Sequence, residues 1–292
     1  MLDLGANTCN IAQVLTRPNP EAPELAVAST ASDPATSPPL ASKIGELIAA
    51  DTSSSNLFRD ADLPFNSQIN IRRDVLPHEA PESQLLAAYP DASFDAVLSS
   101  LSLHWINDLP GILTQINRVL KPDSPFLGVM LGGDTVFELR TSLQLASLDR
   151  LGGVGLHTSP LADVRDVGGL LQRAGFRLLT VDVDDLVVDY PDVFALMQDL
   201  QAMGEQNCVA ARAPGPINRD VLAASDSIYR ALHGNEDGSL PATFRLIYMI
   251  GWKEGPDQPK PLRRGTGMVS IKDVLEGRAP AGDGDGSGPK SE

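Results

Sequence analysis

Three aspartates, Asp3, Asp51 and Asp74, each close a short run of apolar or β-forming residues, and acids so placed suit one kind of chemistry. A carboxylate at the end of a strand can accept hydrogen bonds from the two hydroxyls of a ribose, and a nearby glycine lets backbone approach the ligand. Leu2-Asp3-Leu4 runs into Gly5 and a helix-like stretch whose first amides would face outward. Singly, each acid reads as readily as a helix cap or a solvated loop residue. Together, at the ends of successive strands, they point to the ligand-binding edge of an open α/β sheet.

A second group lies further along. His104 and Asp108 are four residues apart, a spacing that brings side chains to one face if the segment is helical. A nonhaem iron site needs two histidines and a carboxylate. With His78, His104, His157 and His233 available and no close His-x-Asp pair, no metal site is read, and His104 is expected to pack or to line a cofactor. Gly132-Gly133-Asp134-Thr135 follows an apolar run, so Asp134 or Thr135 is expected to cap the next helix or to touch substrate. Asp182, Asp184, Asp185 and Asp189 interleave with Val181, Val183 and Val187. That pattern predicts a strand and turn with one wet face, in preference to a surface for an arginine-bearing partner.

These residues need a scaffold, and the chain supplies one of recognisable type. Short apolar runs at Glu46–Ala50, Ile69–Asp74, Phe94–Ser99, Phe126–Leu131, Phe176–Val183 and Phe244–Trp252 alternate with amphipathic stretches. The alternation predicts an α/β domain with a mainly parallel sheet. Helices are expected at Ala6–Leu15, Pro110–Leu120, Thr135–Arg150, Pro160–Ala174, Pro191–Met203 and Arg219–Leu232, with Gly175 ending the fourth of these. Leu2–Leu4 reads as the tail of a longer strand, so the expectation is of a shortened or misassigned start. Thr16–Ser42 is crowded with prolines among Ala, Ser and Thr and is expected to be an irregular insertion within the domain. The domain is read as residues 1–253 and the remainder, 254–292, as a largely disordered tail.

Composition narrows the function. With 292 residues, 42% of them hydrophobic, the chain can bury a sizeable core. Its 38 acidic and 23 basic side chains give a formal charge of -15, which argues against nucleic acid as a partner. Cys9 and Cys208 are too few for a disulfide framework, and Cys208 reads as structural or incidental. No apolar stretch approaches the roughly 18 residues of a membrane helix, and no targeting segment is visible at the start.

The block Ser93 to Pro110, with its Leu103-His104-Trp105, followed by Arg118-Val119-Leu120-Lys121-Pro122-Asp123, resembles the fourth strand and following helix of class I S-adenosylmethionine methyltransferases. More narrowly, Ser99–Pro110, Gly132–Arg140, Asp163–Gly175 and Asn235–Trp252 resemble the methyltransferase-like assembly factors of mitochondrial respiratory complex I, the factor-five family. The likeness covers most of Phe94–Lys253 together with Asp3–Gln13. It implies a Rossmann-like, seven-stranded class I fold, a matrix location with room for peripheral contact with the inner membrane, and action on a complex I iron-sulfur subunit or assembly intermediate. Family members are described as arginine hydroxylases.

By the same resemblance S-adenosylmethionine would be held by Asp3, Gly5, Asn7, Asp51, Asp74, Val75 and Ser99. Asp51 would meet its ribose, and Asp74 with Val75 its adenine. His104 and Asp134 are the candidates for chemistry, and Glu205 for the substrate cleft. Two readings compete, a methyltransferase acting on a carboxyl or small molecule, and a non-catalytic assembly chaperone. At the cofactor loop this chain has Gly5-Ala6-Asn7-Thr8-Cys9 where the family pattern is Gly-x-Gly-x-Gly. Asn7 is expected to make the turn in place of glycine, while Cys9 adds bulk beside the helix.

Overall fold

The computed structural model describes residues 1–17, 39–77, 88–207, 209 and 215–259. The described residues of Met1–Pro256 form one compact unit, and residues 257–259 belong to a second. The first unit is built on seven strands: β1 (Leu2–Leu4), β2 (Leu47–Asp51), β3 (Ile71–Val75), β4 (Val97–Ser100), β5 (Pro125–Leu131), β6 (Phe176–Tyr190) and β7 (Leu240–Lys253). Their order across the sheet is β3-β2-β1-β4-β5-β7-β6. β7 runs antiparallel to β5 and β6, and every other pairing is parallel. The order reverses at β1 and β4, the place where an open α/β sheet leaves a crevice at its carboxyl ends.

Among the described residues seven α-helices connect the strands: α1 (Asn10–Leu15), α2 (Ser54–Arg59), α3 (Leu109–Val119), α4 (Phe137–Leu151), α5 (Val164–Arg173), α6 (Val193–Met203) and α7 (Arg219–His233). Most start where a short polar side chain accepts from a backbone amide of the first turn. Ser53, Asp108, Asp163, Asp192 and Asn218 do this for α2, α3, α5, α6 and α7. α3 buries Ile112, Leu113, Ile116 and Val119 along one stripe, and α5 buries Val167 and Leu171. Both stripes pack with Leu2, Leu4, Phe126 and Phe176 in one core layer. On the other face, α4, α6 and α7 close a second layer around Leu143, Leu196 and Tyr229. Alternation along β1 sends Leu2 and Leu4 to the first layer and Asp3 to the opposite side, in register with Ala49 and Leu98.

Several expectations change. β6 continues to Tyr190, well past Val183, because Tyr190 to Thr180 pair with Leu240 to Ile250 of β7. That backbone ladder does not depend on the apolar alternation which the aspartates interrupt. Leu40–Lys43 forms a 3-10 turn in which Ala41 is buried and the Ser42 hydroxyl donates to the Pro39 carbonyl at 2.8 Å, so the end of the proline-rich segment is regular. Residues 18–38 of that segment, the tail beyond 259, His78 and Cys208 lie outside the described residues. Gly175 does end α5, with φ +95° directly after Ala174. Among the described residues no helix is long and apolar enough to cross a membrane.

Candidate functional site

The first half of the site is the turn from β1 into α1. Gly5 has φ +74°, Asn7 +48° and Cys9 +62°, so all three positions where the family pattern places glycine keep a left-handed backbone although two have side chains. For L-residues this conformation costs on the order of 1 kcal/mol or more each, less for asparagine. Contacts from distant segments hold it. The Asn7 amide donates to Asp51 Oδ2 and the Ser53 amide to Asp51 Oδ1, each at 2.8 Å. The Gly5 amide donates to the Ala50 carbonyl at 2.8 Å. Cys9 is fully buried, with Sγ 4.0 Å from the Leu57 carbonyl oxygen, and burial pushes its thiol up. The bulk expected to disturb the loop is thus absorbed between α1 and α2.

β4 closes the turn from the other side. Ser99 Oγ donates to the Leu4 carbonyl at 2.9 Å and lies 2.9 Å from Ser102 Oγ, which reaches the same carbonyl at 3.2 Å. Ser102 also explains Gly5, since a Cβ there would fall 2.2 Å from its hydroxyl oxygen. No signal in the sequence marked Ser102.

Asp3 sits beneath this turn. It is 1% exposed, and neither carboxylate oxygen has a hydrogen-bond partner among the described residues. Burial first, and the nearby Asp51 carboxylate second, push it up to about 7. A buried acid without donors fits a ligand that brings its own, such as the ammonium of an amino-acid moiety.

Asp74 is placed differently from Asp3 and Asp51. Its Oδ2 accepts from Arg72 and from the Tyr89 hydroxyl, each at 3.0 Å. Burial and this carboxylate raise the Tyr89 phenol above its usual range. Val75, beside it, is about half exposed and in register with Asp51.

The second half of the site begins at His104. Leu103–Trp105 is a single 3-10 turn, and Asp108 caps α3 by accepting from the Gly111 amide at 2.9 Å. The two residues therefore do not share a helical face, which corrects the i, i+4 reading. His104 Nε2 instead lies 2.9 Å from Glu205 Oε1, its side chain is 2% exposed, and its Nδ1 is buried with no partner among the described residues. Glu205 is aimed by the end of α6. Gly204 takes φ +83°, and the Glu205 amide turns back to the Leu200 carbonyl at 2.8 Å.

Asp134 and Thr135 do not cap α4, another correction. The N-cap position of that helix is Val136, which makes no side-chain cap bond and whose φ of +45° is rare for a β-branched residue. Asp134 pairs with Arg245, which also grips Asp185 through two 2.7 Å bonds. The Thr135 hydroxyl meets the Arg245 backbone.

Val136, Glu205 and side chains of α4, α6 and α7 line a cavity of about 590 Å³. Leu139, Leu143, Met197 and Leu200 give it apolar walls. Among the described residues that line it, Glu205 alone carries a carboxylate. The rim is tied by Asn207, whose side-chain amide donates to the Leu156 carbonyl at 2.6 Å, and by Ser159, whose hydroxyl donates to the Gln206 carbonyl at 3.2 Å. The sequence indicated Glu205 as a candidate for the substrate cleft, and the structure places it in the wall of this cavity. Its bond to His104 had no local signal.

Strand order, the turn after β1 and the flanking helices define a class I S-adenosylmethionine-dependent methyltransferase fold, and this chain has it. The methyltransferase-domain family matches residues 35–127. The crystal structure of a protein described as a methyltransferase from Bacillus halodurans C-125 superposes with a TM-score of 0.53 at 12% identity, covering 87% of this chain and 91% of that one. Much nearer in sequence is the mitochondrial arginine hydroxylase NDUFAF5 of Danio rerio, 54% identical over 186 residues, 64% of this chain and 58% of that protein. A malonyl-[acyl-carrier protein] O-methyltransferase of Laribacter hongkongensis is 34% identical over 179 residues, 61% of this chain and 58% of that enzyme. The chain is homologous to the NDUFAF5 arginine hydroxylases and spans somewhat over half the length of the Danio rerio protein.

Proposed function

We propose that this chain binds S-adenosylmethionine at the carboxyl edge of β1 and β2 and acts in mitochondria on an arginine of a complex I iron-sulfur subunit, by hydroxylation. The observation that carries the reading is the 54% identity with an arginine hydroxylase, together with the left-handed loop that survives the loss of two glycines. Asp3, Gly5, Asn7 and Asp51 would hold the cofactor; its sulfonium would supply methyl-group chemistry and not an oxygen atom, so hydroxylation would draw its oxygen and two oxidising equivalents from a separate co-substrate, dioxygen with an external reductant. Asp3 offers two buried, unpartnered oxygens to an ammonium group. Asp51 retains lone pairs for ribose hydroxyls beyond the two amides it already accepts. Ser99 and Ser102 fix the loop against β4, and the same segment carries His104 toward the large cavity two residues later. The cofactor edge and the cavity are therefore linked by one short stretch of chain.

Two measurements test this. Titration of the full chain with S-adenosylmethionine by calorimetry should show saturable binding, and its absence would refute the cofactor assignment. Mass spectrometry of an arginine peptide from an early complex I iron-sulfur subunit, incubated with cell extract lacking or containing the chain, should show gain of one oxygen atom. Gain of a methylene instead would transfer the reading to the methyltransferase relatives, and an unchanged peptide would favour a chaperone.

A further inference from the structure

The cavity beside α4, α6 and α7 has a composition that selects among ligands. Its walls are leucine-rich, its volume of about 590 Å³ suits one long side chain with its flanking backbone, and among the described residues that line it Glu205 alone carries a carboxylate. Uncharged polar side chains such as Thr135, Gln201 and Asn218 also line it, and a carboxylate in such a mixed wall is costly unless paired. Glu205 is partly paired: Oε1 takes the His104 bond, and Oε2 has no partner among the described residues. Charge on the smaller adjoining cavity of about 230 Å³ comes from Arg140, whose guanidinium donates to the Gly133 carbonyl at 2.8 Å.

His104 Nε2 meets Oε1 at 2.9 Å, which leaves the second oxygen of the carboxylate open to a ligand. Such a pair attracts a cation carried on an apolar stem. The strained Val136 backbone lies in the same wall and is held by its amide's bond to the Thr243 carbonyl at 2.6 Å, a local conformation of the kind concentrated at ligand sites.

From this geometry we infer that Glu205 is the receptor for the substrate guanidinium, entering through the 590 Å³ cavity, and that His104 is the positioning residue that orients the Glu205 carboxylate. The inference rests on the proposed arginine-directed reaction and adds the residue that recognises the arginine. A guanidinium satisfies it better than an ammonium, because its planar fork donates along a carboxylate edge while its weaker hydration suits apolar walls.

The test uses a blocked Gly-Arg-Gly peptide and its citrulline counterpart, the same shape without charge, titrated into the full chain with and without S-adenosylhomocysteine. Wild type should prefer arginine by at least about tenfold, the ratio expected for one charge-assisted hydrogen bond. Glu205→Gln should erase that preference while leaving S-adenosylhomocysteine affinity unchanged. His104→Phe should reduce the preference and His104→Gln, which keeps a donor near Oε1, should restore it. A purely structural role for His104 would instead lower stability in both variants and spare the preference. Equal binding of the two peptides, no binding of the arginine peptide, or a preference that survives in Glu205→Gln would each overturn the assignment. Because the citrulline comparison is made on wild type, it stands even if a variant fails to fold. Absence of S-adenosylhomocysteine binding to wild type would count against the cofactor reading alone, since the two peptides are titrated without it as well.

Discussion

Replacing Asp3 by asparagine removes an ionisation that folding penalises. In the folded chain Asp3 is pushed from 3.8 to about 7, by burial and then by Asp51. At about 1.4 kcal/mol per pH unit, that rise corresponds to on the order of 4 kcal/mol, a ceiling because neighbours and water can relax around the charge. Between about pH 4 and pH 7 the folded chain keeps a proton that the unfolded chain gives up. Stability contributed through this group therefore falls as pH rises across that window and levels off above it. Asp3→Asn should abolish the slope. Its amide also lacks partners, a cost of about 1–3 kcal/mol present at every pH, so the variant should compare worst with wild type near pH 4 and best near pH 8. Urea unfolding followed by circular dichroism at several pH values, with the m value checked for constancy, measures the difference. A wild-type-minus-variant difference that stays constant from about pH 4 to pH 8 would refute the reasoning, because the carboxyl would then ionise alike in both states. The same group connects stability to the proposed ligand. An ammonium placed on Asp3 favours its ionised form, so cofactor binding near pH 6 should release a proton, read as a dependence of the calorimetric heat on buffer ionisation enthalpy.

Other substitutions probe the scaffold. Gly5→Ala combines a left-handed φ with a Cβ 2.2 Å from Ser102 Oγ and should destabilise by at least about 1–3 kcal/mol in urea unfolding; adding Ser102→Gly should recover part of that loss but not the backbone cost. Asn7→Gly relieves the left-handed strain at φ +48° and should leave stability unchanged or raise it by a few tenths of a kcal/mol, roughly the asparagine penalty less glycine's extra chain entropy. Glu138, 3% exposed, accepts both the Thr243 amide and its hydroxyl; Glu138→Ala should cost about 3 kcal/mol through unsatisfied donors and a cavity, measured by denaturant midpoint. Tyr229→Phe deletes the 2.7 Å bond from its buried hydroxyl to the Pro241 carbonyl and should lower stability by about 1–2 kcal/mol in the same assay.

Much of the architecture was legible because it depends on neighbours in sequence. The stripe Ile112, Leu113, Ile116, Val119 specifies which side of α3 is buried whatever it packs against, and the short apolar runs mark strand positions to within a few residues. The sequence predicts that β6 ends at Val183, since the adjacent Asp184 and Asp185 break the alternation and read as a turn. What retains them is pairing with Leu246 and Arg245 of β7, more than fifty residues away.

The site divides along the same line. By itself the amino-acid sequence determined the strand ends that bear Asp3 and Asp51, the turn-forming capacity of Gly5 and Asn7, and the class of fold, since periodicity and turn chemistry act over a few residues. Tertiary structure alone decided that Cys9 could occupy a left-handed position, that Asp74 would be taken by Arg72 and Tyr89, and that His104 would meet Glu205 across 101 residues of chain. Those outcomes are set by which surfaces the packed helices bring together. Contacts between segments so distant in the chain leave no repeating signature in either one.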